Sequence, residues 1–323
     1  MTHHTDFRLI APPHSPFDSE GRLHLAIVDR QLESLHQNGV DGAFVAGTTG
    51  ECSSLTISER MQLADRWVEV AKPTSLDVIV QVGDNCQANA IELAAHAQQI
   101  GADSTAAFAP SYFKPQDVDA LIDFLAPIAG AAGDLPFYFY DIPPMTNVRL
   151  PMVEFLEKAK PRMPNLVGLK YSNIDLMQMQ ECLQLQDHEF EVLFGSDEIL
   201  LAAVALGAHG AIGSTYNFAA PLFRRMLGAF AGGENELARA YQLQAVNIVR
   251  CLMRFGFMAA SKHTMSLRGV NCGPVRPPFR NLSESQQNEL QEELEKLDIS
   301  QACQPAMCSS GSDKITSCSS QPS

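Results

Sequence analysis

Basic side chains are scarce in this 323-residue chain: 23 Lys and Arg stand against 37 Asp and Glu, for a net charge of -14. Such a surface repels phosphate backbones and anionic lipid, so neither nucleic acid nor a membrane surface is expected as a partner. Long apolar runs are missing too. The longest, residues 199–208, stops at His209 and falls short of the roughly 20 residues of a spanning helix. The first twenty residues lack the apolar stretch of a secretory signal, and a cytoplasmic location is expected. The eight cysteines contain no C-x-x-C pair, which argues against a disulfide scaffold and for free, buried thiols. Nine dispersed histidines without an H-E-x-x-H motif speak against a metal site, and His3-His4 reads as a mobile N-terminus. Neither G-x-G-x-x-G nor a G-x-x-x-x-G-K-[ST] loop is present, and no G-x-S-x-G elbow marks a serine hydrolase.

What the chain has is 46% apolar residues, arranged in short β-branched runs that alternate with helical spacing. Candidate strands fall at 8–11, 42–46, 77–82, 104–109, 136–140, 166–170, 191–194 and 211–213. Leu25, Val28, Leu32 and Leu35 recur every three or four residues, and Thr56-Ile57-Ser58-Glu59 is a capping-box pattern. Strand then helix, in units of about thirty residues, implies parallel pairing through crossover helices. Eight such units fit an α/β fold of the (β/α)8 TIM-barrel type over residues 1–232; an open doubly wound sheet is the alternative. Residues 233–299 read as a C-terminal helical extension packed on the barrel, with helices at 235–255 and 284–297. From residue 300 to 323 the chain turns Ser- and Cys-rich without periodicity, and a disordered tail carrying Cys303, Cys308 and Cys318 is expected.

In such a barrel, chemistry belongs at the C-terminal strand ends. Lys170 ends the apolar run Leu166-Val-Gly-Leu169. It either pairs with a carboxylate at the rim or sits desolvated with a lowered pKa, ready to form a Schiff base with a ketone. Tyr140 ends the neighbouring strand: a core aromatic with a polar tip, or a proton shuttle beside the amine. Thr48 and Thr49, between Gly47 and Gly50, form an ordinary turn or offer hydroxyls and N–H groups to a small carboxylate. Asp197 and Glu198 are helix N-terminal charges or acceptors for the hydroxyls of a polyol.

Four motifs, Gly47-Thr-Thr-Gly-Glu51, Tyr140-x-Ile-Pro143, Gly168-Leu-Lys170 and Gly213-Ser-Thr-Tyr-Asn217, lie in register at these strand ends. Together they resemble the class I pyruvate-dependent aldolases of the N-acetylneuraminate lyase and dihydrodipicolinate synthase superfamily, from about Arg8 to Leu297. The resemblance implies a homotetrameric TIM barrel, without metal or organic cofactor, that holds pyruvate as a Schiff base on Lys170. It implies proton transfer by Tyr140 and carboxylate binding by Thr48 and Thr49, with Thr49 also linked to Tyr140. Ser172, Gly195, Asp197, Glu198 and Ser214 would contact the sugar-derived part, and Tyr112 would reach a neighbouring subunit's site. Synthase members usually carry an arginine five residues after the tyrosine, where Met145 stands here. The lyase side is nearer, and the expected partners are sialic acid, pyruvate and N-acetylmannosamine. Two other readings stay open: a different 2-keto-acid aldolase, dehydratase or synthase, and a non-catalytic sugar-binding barrel. Asp141, Pro144 and Tyr171 depart from the family's usual residues.

Overall fold

The structure is a computed structural model describing residues 7–185 and 189–304. His3, His4, Cys308 and Cys318 lie outside the described residues. Eight parallel strands close into a barrel in sequence order, with β1 pairing both β2 and β8. They are β1 (Arg8–Ala11), β2 (Gly42–Val45), β3 (Asp77–Gln81), β4 (Ser104–Phe108), β5 (Phe137–Asp141), β6 (Leu166–Tyr171), β7 (Glu191–Phe194) and β8 (Gly210–Ile212). The open-sheet alternative is excluded by the β1–β8 pairing.

Around the barrel run α1 (Val28–Gln37), α2 (Ile57–Ala71), α3 (Gln87–Ile100) and α4 (Val118–Ala131). A short α5 (Pro143–Thr146) precedes α6 (Met152–Ala159), α7 (Leu176–Gln184), α8 (Leu200–Ala205) and α9 (Tyr216–Ala231). The chain continues with α10 (Asn235–Arg254), α11 (Phe257–Leu267), α12 (Glu284–Lys296) and α13 (Ile299–Ala302). The capping box read from sequence opens α2: Thr56 Oγ1 accepts from Glu59 N at 3.2 Å, and Glu59 Oε2 accepts from Thr56 N at 2.9 Å. This satisfies two donors that a helix start leaves orphaned.

Strand alternation splits the core in two. Ile10, Phe44, Ile79, Tyr138, Leu193 and Ile212 fill the barrel interior, whereas Leu9, Ala43, Val78 and Leu169 face the helices. The N-terminal end of the barrel is plugged by charge: Arg8 pairs with Asp77 at 2.8 Å and Glu191 at 2.9 Å, and Tyr138 donates to Glu191 at 2.5 Å. The floor is thus sealed, and the open end is the C-terminal one.

The expected disordered tail is corrected at its start. Residue 300 falls inside α13, where Ile299 and Ala302 are buried, and Cys303 after it is buried as well. Arg225 fixes this end by donating to the Ala302 and Gln304 carbonyls. The described cysteines are all free; Cys86 is exposed, the others buried. Among the described residues no helix is long and apolar enough to cross a membrane.

Candidate active site

Lys170 and Tyr140 are register partners across the β5–β6 pair, directly opposite each other. Both point inward and are almost wholly buried, at 3% exposure each. The Lys170 Nζ lies 3.6 Å from the centroid of the Phe44 ring and 4.0 Å from that of Tyr140. Among the described residues no carboxylate makes an ion pair with it, so the rim-pairing alternative fails. Burial drives the Lys170 pKa well below its usual value; Cys52 and Asp197 oppose this only in part. Each ring face favours an ammonium, by about 2 kcal/mol or more where water is excluded, and so offsets part of a desolvation penalty of several kcal/mol. The net direction is downward, which weights the amine towards its uncharged, nucleophilic form.

The Tyr140 hydroxyl is held by Thr48 Oγ1 at 3.1 Å, with Ser172 on the same polar side of the cavity, while its ring meets Phe44 edge-on at 5.4 Å. Burial pushes its pKa up, so the phenol stays protonated at neutral pH.

The two threonines divide their work differently from the expectation. Thr48, not Thr49, meets Tyr140; Thr49 instead bonds Ser214 Oγ at 2.7 Å. Neighbouring residues of the turn after β2 send their side chains to opposite sides, one towards β5 and one towards the end of β8. Left-handed backbone brackets the turn, with φ 54° at Ala46 and 55° at Glu51. Neither is glycine, and each such residue is in a conformation that costs about 1–3 kcal/mol and persists only where its surroundings hold it.

Asp197 is buried at the end of β7. Its Oδ2 accepts from Thr215 N at 2.8 Å and Thr215 Oγ1 at 2.6 Å. Burial outweighs these bonds and lifts its pKa to about 6. The other oxygen abuts Gly213, where any Cβ would collide with it. Glu198 is half-buried beside it.

A cavity of about 600 Å³ opens above these groups. Thr48, Thr49, Tyr140 and Lys170 form its base, and Ser172, Gly195, Asp197, Glu198 and Ser214 its polar side. The opposite wall was missed in the sequence reading. Val249, Met253, Phe257 and Phe279 make it apolar, with Arg280 beside them, and all come from the segment after β8. Tyr112 does not reach this cavity; it is 79% exposed and stacks edge-to-face on Phe113 at 5.0 Å. Asp141 points away from the cavity, accepts from Asn173 at 3.1 Å and has its pKa raised by burial to about 6. Tyr171 also faces outward and donates to the Asp175 carbonyl at 2.7 Å.

Gly195 is a close-approach position, since a Cβ there would fall on Ser172 Oγ. Gly195→Ala is expected to displace the Ser172 hydroxyl from the polar side of the cavity and lower kcat roughly tenfold, with little change in melting temperature. Steady-state turnover beside a thermal melt checks this, and an unchanged kcat would refute the role of Ser172.

Residues 6–297 match the model of the dihydrodipicolinate synthetase family. The chain is 39% identical over 280 residues to an N-acetylneuraminate lyase of Gallus gallus, covering 85% of this chain and 91% of the relative. It is 37% identical over 295 residues to the Homo sapiens N-acetylneuraminate lyase, covering 90% and 92%. Among solved structures, the N-acetylneuraminate lyase of Aliivibrio salmonicida superposes with a TM-score of 0.88 at 38% identity, covering 91% of this chain and 97% of that one. A dihydrodipicolinate synthase of Bacillus anthracis gives 0.84 at 26% identity, covering 90% and 98%. On barrel, strand-end residues and near full-length match together, the chain belongs to the dihydrodipicolinate synthetase family.

Proposed function

We propose that this chain is a class I aldolase that cleaves N-acetylneuraminate reversibly to N-acetyl-D-mannosamine and pyruvate. The observation that carries the reading is a buried lysine with a depressed pKa, opposite a tyrosine on the next strand, at the base of the cavity. The relatives named N-acetylneuraminate lyase supply the choice of substrate.

The Lys170 amine attacks the C2 ketone of the open-chain sugar acid, and loss of water leaves a protonated imine. Electrons of the C3–C4 bond flow into that iminium as the C4 hydroxyl becomes an aldehyde. The C4 proton passes to the Tyr140 oxygen while the phenol hands its own proton to Thr48 Oγ1, whose hydroxyl proton moves on to the substrate carboxylate beside it, to be returned at C3 of the enamine. A relay suits a phenol whose pKa is raised, since it never has to hold a negative charge. Protonation of the resulting enamine at C3 and hydrolysis of the imine release pyruvate and restore the amine. Thr48 and Thr49 hold the carboxylate, and Asp197, Glu198 and Ser214 take the hydroxylated chain.

Tyr112 and Phe113, exposed and stacked on one protomer, support a second copy covering them, as a homotetramer would. Free thiols throughout the described residues suit a reducing, cytoplasmic setting.

The test is borohydride reduction with pyruvate, peptide mass spectrometry, and pyruvate release from N-acetylneuraminate, with sedimentation of the same sample to read its assembly. A three-carbon adduct on Lys170, pyruvate release and a four-chain mass are expected. An adduct elsewhere or none, or release from 2-keto-3-deoxy-sugar acids but not N-acetylneuraminate, would overturn the assignment; a monomer would overturn the assembly.

A further inference from the structure

Glu51 closes the threonine turn without lining the cavity, and its side chain is fully buried. Beneath it lies Lys262 of α11, 2% exposed, with Nζ 2.8 Å from Glu51 Oε1. The same ammonium donates to the carbonyls of Ser15 and Pro274, each at 2.8 Å, and stands 4.3 Å from the Phe17 ring centroid. Two of its protons thus go to carbonyls, and Glu51 Oε1 is held by charge rather than by an aligned hydrogen bond. Glu51 Oε2 accepts from the Arg276 backbone N–H at 2.9 Å, and Ser15 Oγ donates to the Gly50 carbonyl at 2.5 Å. The turn is thus tied from below to the β1–α1 segment, to α11 and to the connector before α12.

A buried ion pair is poor evidence for stability, because apolar side chains of similar volume often serve as well. It does fix direction and register. Here the pair sits at the left-handed residue that ends the turn, and the turn sends Thr48 to Tyr140 and Thr49 to Ser214. We propose that Lys262 is a positioning residue of the reaction: through Glu51 it sets the threonine turn in the geometry that receives the substrate carboxylate. This rests on the reading of Thr48 and Thr49 given above. Lys262 does not line the catalytic cavity and touches no reacting atom.

The test uses Lys262→Met and, because a lone buried Glu51 carboxylate could unfold the chain, the double variant Glu51→Gln with Lys262→Met. Borohydride trapping on Lys170 is run as a function of pyruvate and, separately, of acetone, a ketone without a carboxylate. Backbone amide exchange is followed across residues 47–52. In both variants the pyruvate concentration for half-maximal trapping is expected to rise about tenfold or more. Acetone trapping should stay within about twofold, and turn amides should exchange about tenfold faster. A general structural role would lower both ketones equally, and that result overturns the proposal, as does pyruvate saturation within about twofold of the parent chain. If the parent chain traps no pyruvate, the proposed function fails instead, and unaltered amide exchange in the variants would still sink the tie.

Discussion

Lys170→Met is expected to lose on the order of 10⁵-fold or more in kcat, the scale of removing a covalent nucleophile. The same variant should melt about 2–5 °C higher than the parent. The two effects have one cause. Folding strips Lys170 of water, and burial of the charge holds its pKa in the folded protein well below the 10.5 of the unfolded chain. Between those two values the unfolded chain holds a proton that the folded one has shed, and stability rises with pH across that window. At neutral pH the protein therefore carries a cost that methionine removes while filling similar space against Phe44. Melts from pH 7 to pH 10 should show the parent gaining on the variant as pH rises. A variant that melts lower and still traps pyruvate would leave the lysine a structural residue only.

Tyr140→Phe should lower kcat for carbon–carbon cleavage by about 10²–10⁴-fold. Pyruvate should still form an adduct on Lys170, more slowly, because the amine and its apolar seat remain. The phenylalanine ring keeps the edge-on contact with Phe44, so the loss is confined to the hydroxyl bonded to Thr48. Stability should change by about 1 kcal/mol, the worth of one such bond. Single-turnover cleavage and borohydride trapping, measured together, separate the two steps. Equal cleavage rates in both proteins would remove Tyr140 from the proton path.

Much of the barrel was legible because a strand buried on both faces writes an apolar run and its crossover helix writes a 3.6-residue stripe. The first and seventh strands match the expected bounds; the fifth and eighth are shifted by one residue at both ends, and the others differ by one residue at the C-terminal end, where the last ladder bond depends on the neighbouring strand. Lys170 and Tyr140 stood out because a polar group ending an apolar run is conspicuous in one dimension. The helix α11 did not. Ala259, Ala260, Ser261, Lys262, Thr264 and Met265 are all buried, so it is covered on several sides and has no clean stripe to detect. The run without glycine or proline from Phe257 to Arg268 was the available signal. The swap of Thr48 and Thr49 was beyond reach, since two adjacent identical residues differ only in direction. The apolar wall and Lys262 stayed hidden for another reason: what they face lies far upstream, some two hundred residues away in the case of Lys262 and Glu51.

That separation bears on how the protein is made. A ribosome that has released β8 has delivered the whole ring of strands, the amine and the phenol. It has not yet delivered Phe257 or Lys262, and so neither the far side of the substrate chamber nor the tie under the threonines exists. A nascent chain halted there would carry a reactive nitrogen facing only the polar half of its chamber. Competence is conferred last, by the segment whose residues perform none of the bond-making.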